Sequence, residues 1–210
     1  MTAKTDNHDP RAKLKLRRYF LRKYHADDPP DVLDCCQGGG VLWQTLRRAF
    51  EVRSYWGVDV KPKKGRLKID SVRILAQPGW PQNVVDIDTY GSPWKHWNAM
   101  MPNVSRPTTI FLTIGQWQMG TDKTILSALG VNNLRIPAGI AIKLHEIAVT
   151  YCFTRPCVNC TITECVEAVS DGLARYFGVR LEPVAKANGR GADTPGRSEH
   201  TTPNTEVQHV

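Results

Sequence analysis

A glycine-rich turn between a short apolar run and an amphipathic segment restricts the possible folds more than any other part of the chain. Residues 32–36 (VLDCC) form the apolar run, and glycines occupy positions 38–40. Leu42, Leu46 and Phe50 then recur every four residues, as they would on one face of a helix. This order of strand, glycine turn and helix predicts the first unit of an α/β fold with a buried parallel sheet.

The alternation of strands and helices continues along the chain. Apolar runs bounded by Gly, Pro or Asp predict further strands at 54–60, around 67–70, and at 83–87, 109–114 and 178–184. The expected fold is therefore a three-layer α/β sandwich around a mostly parallel, Rossmann-like sheet.

Three segments have the spacing of helices. Residues 16–24 predict a basic amphipathic helix ahead of the first strand, and an apolar stripe runs through residues 136–151. Thr161, with Glu164 three residues later, resembles a capping box and predicts a helix that continues through about Phe177.

The length of 210 residues suits one domain with two tails. We expect a flexible N-terminus at 1–13, a domain at 14–186 and a disordered tail at 187–210, where the chain has almost nothing to bury. An apolar run of the roughly 18 residues that cross a bilayer is absent from the sequence. We therefore expect a soluble cytoplasmic protein with no membrane contact.

The basic residues are concentrated in two segments. The formal net charge is +8, and residues 1–25 hold eight Lys or Arg against two Asp, whereas residues 61–68 (KPKKGRLK) hold five basic residues and no acid. Clustered cations favour a polyanionic partner, because phosphate backbones release counterions when they bind. The charge predicts contact with RNA or DNA; a solvated basic face is the alternative.

An acidic residue after the second strand indicates a nucleoside-containing ligand. Asp59 follows Gly40 by 19 residues, where a carboxylate can accept hydrogen bonds from both hydroxyls of a ribose. A dinucleotide site would have a third glycine at the position of Trp43, which argues against NAD and FAD. The spacing favours another adenosine-bearing cofactor.

The pattern of an acid followed by x-x-x-G-x-G resembles the first motif of the class I S-adenosylmethionine-dependent methyltransferases. The resemblance covers roughly residues 30–115 and implies S-adenosylmethionine as the cofactor. It implies that Asp34 orders the loop, that Gly38 and Gly40 line the methionine and ribose part of the cofactor, and that Asp59 holds the ribose.

The resemblance extends to the third predicted strand. Asp70, eleven residues after Asp59 and followed by Ser71, matches the position that lies near the adenine amino group in this family. Asp70 and Ser71 are therefore the remaining candidate cofactor-binding residues.

A second motif lies after the fourth predicted strand. Residues 86–93 (DIDTYGSP) resemble the D-x-D-P-[FY]-G-S-P signature of tRNA guanine amino-group methyltransferases, with Thr89 in place of the proline. The resemblance makes Asp88 the catalytic acid that accepts the N–H groups of an exocyclic amine, and Tyr90 the plane on which the base stacks. Trp94 is a second aromatic candidate. The chain is too short to include the additional C-terminal domain of those enzymes.

These observations predict a methyltransferase that acts on an exocyclic base nitrogen of RNA or DNA. Two alternatives remain at this point. The first is a catalytically inactive nucleic-acid-binding protein with the same fold, which Thr89 favours. The second is a methyltransferase for small molecules or proteins.

Four cysteines have a spacing that permits a metal site. Cys152, Cys157, Cys160 and Cys165 form C-x4-C-x2-C-x4-C, which is within the range of tetrahedral zinc sites. Cys165 also fits the apolar stripe of the helix expected at 161–177, and we favour burial without a metal.

Overall fold

The computed structural model describes residues 9–62, 68–89, 91–115, 153, 159–169 and 174–184, together with the backbone of residues 207–209. Its strands are β1 (Asp31–Asp34), β2 (Ser54–Gly57), β3 (Val84–Ile87), β4 (Thr108–Ile114), β5 (Cys160–Ala168), β6 (Arg175–Pro183) and β7 (Val207–His209). They form one sheet in the order β2-β1-β3-β4-β6-β5-β7. All neighbouring strands run parallel except β6, which is antiparallel to β4 and β5. The predicted, mostly parallel sheet is confirmed.

Helices cover both faces of the sheet. The described helices are α1 (Pro10–Tyr24), α2 (Val41–Leu46), α3 (Ser71–Leu75) and α4 (Trp94–Met100), and a 3₁₀ turn at Met101–Asn103 follows α4. On one face, α1 and α2 form a core with Val84 and Phe111. On the other face, α3 and α4 form a core with Val85 and Ile110. This alternation along β3 and β4 produces the expected three layers.

Helix α1 begins earlier than the sequence indicated. The side chain of Asp9 accepts hydrogen bonds from the backbone N–H groups of Arg11 and Ala12 at 3.0 and 2.9 Å, and Pro10 occupies the first helical position. Residues 10–13, expected to be part of a flexible N-terminus, are therefore helical, and Lys13 is buried.

A glycine of β6 allows α1 to pack closely on the sheet. A Cβ atom at Gly178 would lie 2.3 Å from the ring of Phe20. Because glycine lacks this atom, the aromatic ring rests directly on the strand backbone. This contact sets the distance between α1 and the sheet. It therefore also determines how far the other side chains of α1 lie from the strands.

The expected helix through Phe177 is wrong. Strand β5 occupies Cys160–Ala168, and β6 occupies Arg175–Pro183. The register between these two strands shifts between Ile162 and Glu164, which is a bulge. A bulge interrupts the two-residue alternation of a strand, and this irregular spacing produced the apparent helical pattern.

Two other expectations differ from the structure. The strand expected around 67–70 is reduced to a single parallel bridge between Asp59 and Lys68, and Asp70 caps α3 instead. Residues 207–209, within the expected disordered tail, form β7 beside β5. The helical stripe at 136–151 lies outside the described residues, and the boundary at 186 is not tested.

The sheet order creates a switch point beside β1. The chain passes from β1 to β2 on one side and then to β3 on the other. Connections that leave in opposite directions open a crevice at the carboxyl ends of the two central strands. Asp34 at the end of β1 is the register partner of Asp86 on β3, so acidic residues lie at this crevice.

Candidate active site

The buried carboxylate of Asp86 is held by a fork of hydrogen bonds from α1. Arg17 Nε lies 2.7 Å from Oδ2 of Asp86, and Arg17 Nη2 lies 2.6 Å from Oδ1. The indole N–H of Trp43 donates to Oδ2 at 2.7 Å. The Arg17 and Asp86 side chains are 2% and 1% exposed, so the ion pair is removed from water. The Arg17 guanidinium also stacks 4.9 Å from the centre of the Phe111 ring.

Asp88, the predicted catalytic acid, is bound by a second cation of the same helix. Lys13 Nζ donates to both carboxylate oxygens of Asp88, at 2.6 and 2.7 Å. The side chain of Lys13 is 4% exposed and that of Asp88 is 20% exposed. Burial alone would raise the pKa of Asp88, but the charges of Lys13 and Arg17 outweigh it, and the pKa is lowered. Asp88 is therefore ionised and partly accessible.

Asp34 lies beside these ion pairs, and among the described residues its hydrogen-bond partner is a tyrosine hydroxyl. Its Oδ2 accepts a hydrogen bond from the hydroxyl of Tyr55 at 2.7 Å, and Gln37 Nε2 donates to that hydroxyl at 3.2 Å. Burial and the charge of Asp86 raise the pKa of Asp34 to about 8. Asp34 thus carries a proton at neutral pH and is linked through Tyr55 to the glycine loop.

The loop itself is joined to Asp59. Gly38 and Gly40 have φ angles of +51° and +69°, a region that glycine adopts without strain. The N–H of Gly38 donates to Oδ2 of Asp59 at 3.0 Å, and the N–H of Lys61 donates to Oδ1 at 2.8 Å. At Gly57 a Cβ atom would lie 2.3 Å from Nε2 of Gln37, so glycine at this position leaves space for the Gln37 side chain against β2.

The thiol of Cys36 is within electrostatic reach of four acids at this end of the sheet. Burial raises its pKa, and so do the nearby charges of four carboxylates, those of Asp34, Asp59, Asp86 and Asp88. Three of these acids were singled out from the sequence as site residues. The structure therefore brings Asp34, Asp59 and Asp88 to one end of the sheet, around the loop.

Ser71 and Asp70 lie at the start of α3. The Ser71 hydroxyl lies 3.0 Å from the carbonyl oxygen of Cys35 and 2.9 Å from Nε2 of His96. Burial lowers the pKa of His96 to about 4, so its imidazole is neutral. Asp70 accepts from the N–H of Val72 at 3.0 Å, and its side chain is 45% exposed. Ser71 is thus adjacent to the glycine loop, whereas Asp70 is a helix cap at the surface.

The two aromatic candidates have different outcomes. Trp94 is completely buried and packs against Trp97 and Phe153, which makes it a core residue and not a surface for stacking a base. Tyr90 lies outside the described residues. Its neighbours in the chain, Thr89 and Gly91, are described, and Gly91 has a φ of +106°.

Sequence reasoning missed four residues that donate hydrogen bonds to the carboxylates of the site: Lys13, Arg17, Trp43 and Tyr55. One signal was present. Lys13 and Arg17 are spaced by one helical turn and lie on the same stripe as Leu16 and Phe20, so they occupy the apolar face of α1. Two cations on an apolar face require buried acids as partners.

Two further features concern metals and membranes. Among the described residues, no group of three or more His, Cys, Asp or Glu side chains is arranged to hold a metal ion. Cys160 and Cys165 are buried in β5, and Cys152 and Cys157 lie outside the described residues. Within the described part of the chain, no helix has the length and apolarity needed to span a bilayer.

Comparison with solved structures shows that this is the fold of the class I S-adenosylmethionine-dependent methyltransferases. Trm1 from Pyrococcus horikoshii, in complex with S-adenosylmethionine, matches with a TM-score of 0.55 at 14% identity, over 83% of this chain and 56% of that one. A Listeria monocytogenes protein assigned to the class I methyltransferases has a TM-score of 0.50 at 13% identity, over 95% of this chain and 64% of that one. A Lactococcus lactis protein described as a hemolysin has a TM-score of 0.50 at 13% identity, over 82% and 86%.

This chain covers less than two thirds of the length of the Pyrococcus horikoshii and Listeria monocytogenes proteins. No protein-family model and no curated protein matches the sequence. The predicted fold is therefore confirmed by the comparison of structures and not by a comparison of sequences.

Proposed function

We propose that this protein is an S-adenosylmethionine-dependent methyltransferase that acts on an exocyclic base nitrogen of RNA or DNA. The observation that carries the proposal is the grouping of Asp34, Asp59 and Asp88 around one glycine loop at the switch point of the sheet. Ligands of open α/β sheets bind at this place.

The loop and Asp59 suit an adenosine-bearing cofactor. Each oxygen of Asp59 accepts one backbone N–H and retains a lone pair for a ribose hydroxyl. Among the described residues, the nearest atom to a Cβ placed at Gly38 would be the Cys36 carbonyl oxygen at 3.9 Å, so these residues leave space beside the loop. Asp59, Gly38 and Gly40 would hold the cofactor, which supplies a methyl group on a positively charged sulfur.

Asp88 has the charge and position that an amine acceptor requires. The nitrogen of an exocyclic amine shares its lone pair with the base ring, so an ionised oxygen acceptor must hold its N–H groups and orient the lone pair. Asp88 is ionised, 20% exposed and next to the loop. Its carboxylate would also receive the proton that the nitrogen loses once the N–C bond has formed.

The outer face of α1 supports a nucleic-acid substrate. Arg11, Lys15, Arg18 and Arg22 follow the spacing i, i+4, i+7 and i+11, which aligns them on one side of the helix away from the buried stripe. Three of them are exposed and Arg18 is half-buried. A row of four cations on the helix that also supplies Lys13 could hold phosphates close to the acids.

An inactive nucleic-acid-binding protein is the second candidate. Thr89 favours it, because threonine stands where the resembling signature has proline directly after the acid. A methyltransferase for proteins or small molecules lacks a comparable observation in its favour.

Calorimetry with S-adenosylmethionine and transfer of a labelled methyl group to RNA, DNA and protein pools test the proposal. We expect Asp88→Asn to bind the cofactor like wild type and to lose about 100-fold or more in transfer. Asp59→Asn should instead weaken cofactor binding. Asp27→Asn, at an exposed position, is the matched control and should change neither.

The outcomes separate the candidates. Cofactor binding without transfer to any pool supports the inactive binding protein, and transfer to protein alone contradicts a base substrate. Undiminished transfer by Asp88→Asn would refute the role of this acid, and failure of wild type to bind S-adenosylmethionine would refute the cofactor assignment.

A further inference from the structure

Helix α1 reaches the candidate site with two cations, one for each acid at the end of β3. Arg17 binds Asp86, and Lys13, one turn earlier in the helix, binds Asp88. Lys13 and Asp88 are 75 residues apart in the sequence, so the contact depends on the docking of α1 against the sheet. An ammonium group that is 4% exposed has lost its hydration and needs this partner.

We propose that Lys13 is a positioning residue for Asp88, which fixes the orientation and the negative charge of this carboxylate. The inference rests on the proposed function, in which Asp88 is the acceptor for the substrate amine. It makes α1 a part of the active site as well as a basic surface.

The geometry leaves room for both partners. Lys13 Nζ contacts each oxygen of Asp88 once, at 2.6 and 2.7 Å. A carboxylate has about four lone-pair sites, so a site remains for an N–H group of the substrate beside Lys13 and the Thr113 hydroxyl. Rotation about the terminal torsion of aspartate is otherwise broad, and a contact to both oxygens defines the plane of the group. The Tyr176 ring, 5.2 Å from Nζ, forms one wall around the ammonium.

The charge balance around Asp88 depends on Lys13. Within the described part of the chain, the cations that face Asp88 are Lys13 and Arg17, and the Thr113 hydroxyl also favours its charged form. Asp86 lies on β3, two residues before Asp88, and repels a further negative charge, while Arg17 is already bound to Asp86. Without Lys13, burial and like charges would act on Asp88 with only one shared cation nearby, and its pKa would rise.

The titration of Asp88 itself is the most direct test. The ¹³C signal of its side-chain carboxyl, assigned by its loss in Asp88→Asn, gives the pKa without any need for catalysis. We expect the value in Lys13→Met to be about 1–3 units above wild type, and Lys13→Arg to restore most of the shift because it keeps the charge. Lys95→Met, which removes an exposed lysine from α4 on the other face of the sheet, should leave the pKa of Asp88 unchanged.

The pH dependence of methyl transfer provides the functional measurement. The acidic limb of the kcat profile should move upward with the pKa of Asp88 in Lys13→Met, while the KM for S-adenosylmethionine stays near that of wild type. A loss of kcat with no shift of this limb would indicate a merely structural role and overturn the proposal. A gain in kcat would show instead that Lys13 blocks Asp88.

The wild-type protein alone can also refute the inference. If Lys13→Met does not fold, the carboxyl titration of wild type still applies, and a pKa of Asp88 at or above that of an ordinary aspartate would contradict the proposed effect of Lys13. If wild type transfers no methyl group, the proposed function fails, but the pKa comparison between wild type and the variants remains a separate result.

Discussion

Replacing Arg17 by methionine should reveal how strongly the buried ion pair stabilises the fold. Methionine keeps an unbranched apolar side chain over Phe111 and removes only the guanidinium, which donates to both oxygens of Asp86 at 2.6 and 2.7 Å. The Asp86 carboxylate, 1% exposed, would then keep the Trp43 indole N–H at 2.7 Å but lose its cation. Breaking a buried pair in this way costs about 3–5 kcal/mol.

That loss is a large part of the stability of an ordinary domain. An ordinary domain has a free energy of unfolding of about 5–15 kcal/mol. The variant should therefore retain its fold but unfold at a much lower urea concentration than wild type. The midpoint of thermal unfolding should fall by roughly 6–20 °C for a chain of this size. Urea unfolding followed by tryptophan fluorescence and by circular dichroism measures both the free energy and the m-value.

Two comparisons decide whether the charge is responsible. Arg17→Met/Asp86→Asn removes both charges and should recover part of the loss, which gives a coupling energy from a double-mutant cycle. Arg11→Met, on the exposed side of α1, should change the free energy of unfolding by no more than about 0.5 kcal/mol. A cost in unfolding free energy below about 1 kcal/mol for Arg17→Met would refute the reasoning. It would mean that Asp86 is not a buried carboxylate that depends on Arg17 as its only counterion.

Three further predictions follow from the same contacts. Gly178→Val should destabilise the fold by about 1–3 kcal/mol in urea unfolding, since the new side chain displaces Phe20; an unchanged midpoint would contradict this packing. Trp43→Phe should cost about 1.5–3 kcal/mol in the same assay through the lost hydrogen bond to Asp86, and it should cost almost nothing if that bond is absent. The pKa of Asp34 is raised to about 8, so the folded state holds a proton that the unfolded state releases; stability should therefore fall as the pH rises from about 4 to about 8. Asp34→Asn should flatten this dependence, and an unchanged slope would contradict the assignment.

The central strands were predictable from the sequence because their surroundings are uniform. In β3 and β4 every side chain is buried, since helices cover both faces of the sheet. Such strands read as continuous apolar runs bounded by turns. The glycine loop was predictable for a similar reason, because positive φ angles at Gly38 and Gly40 leave few other residue types possible.

The region of β5 was not predictable by the same reasoning. Its bulge places Glu164, Cys165 and Val166 all in buried positions, so neither a two-residue nor a helical period describes the segment. Glu164 is buried because Lys23 and Tyr24 of α1 bind its carboxylate, at 2.6 Å each. A local pattern does not identify which residue on another element will be the partner.

The same limit applies to the candidate site. The acids could be placed at the strand ends from spacing alone, but their cations could not, because Arg17 and Asp86 are 69 residues apart. Basic residues of α1 were interpreted as phosphate contacts, and for Lys13 and Arg17 the structure shows buried ion pairs instead. Arg11, Lys15, Arg18 and Arg22 remain available for that role.

The pairing of α1 with the end of β3 also limits how this protein can change over evolutionary time. Replacing Arg17 first would leave the Asp86 carboxylate buried without its counterion. Replacing Asp86 first would leave the Arg17 guanidinium in the same situation. Both orders pass through a weakened ancestor, so we expect positions 17 and 86 to be exchanged together, or only in descendants that have accumulated spare stability elsewhere.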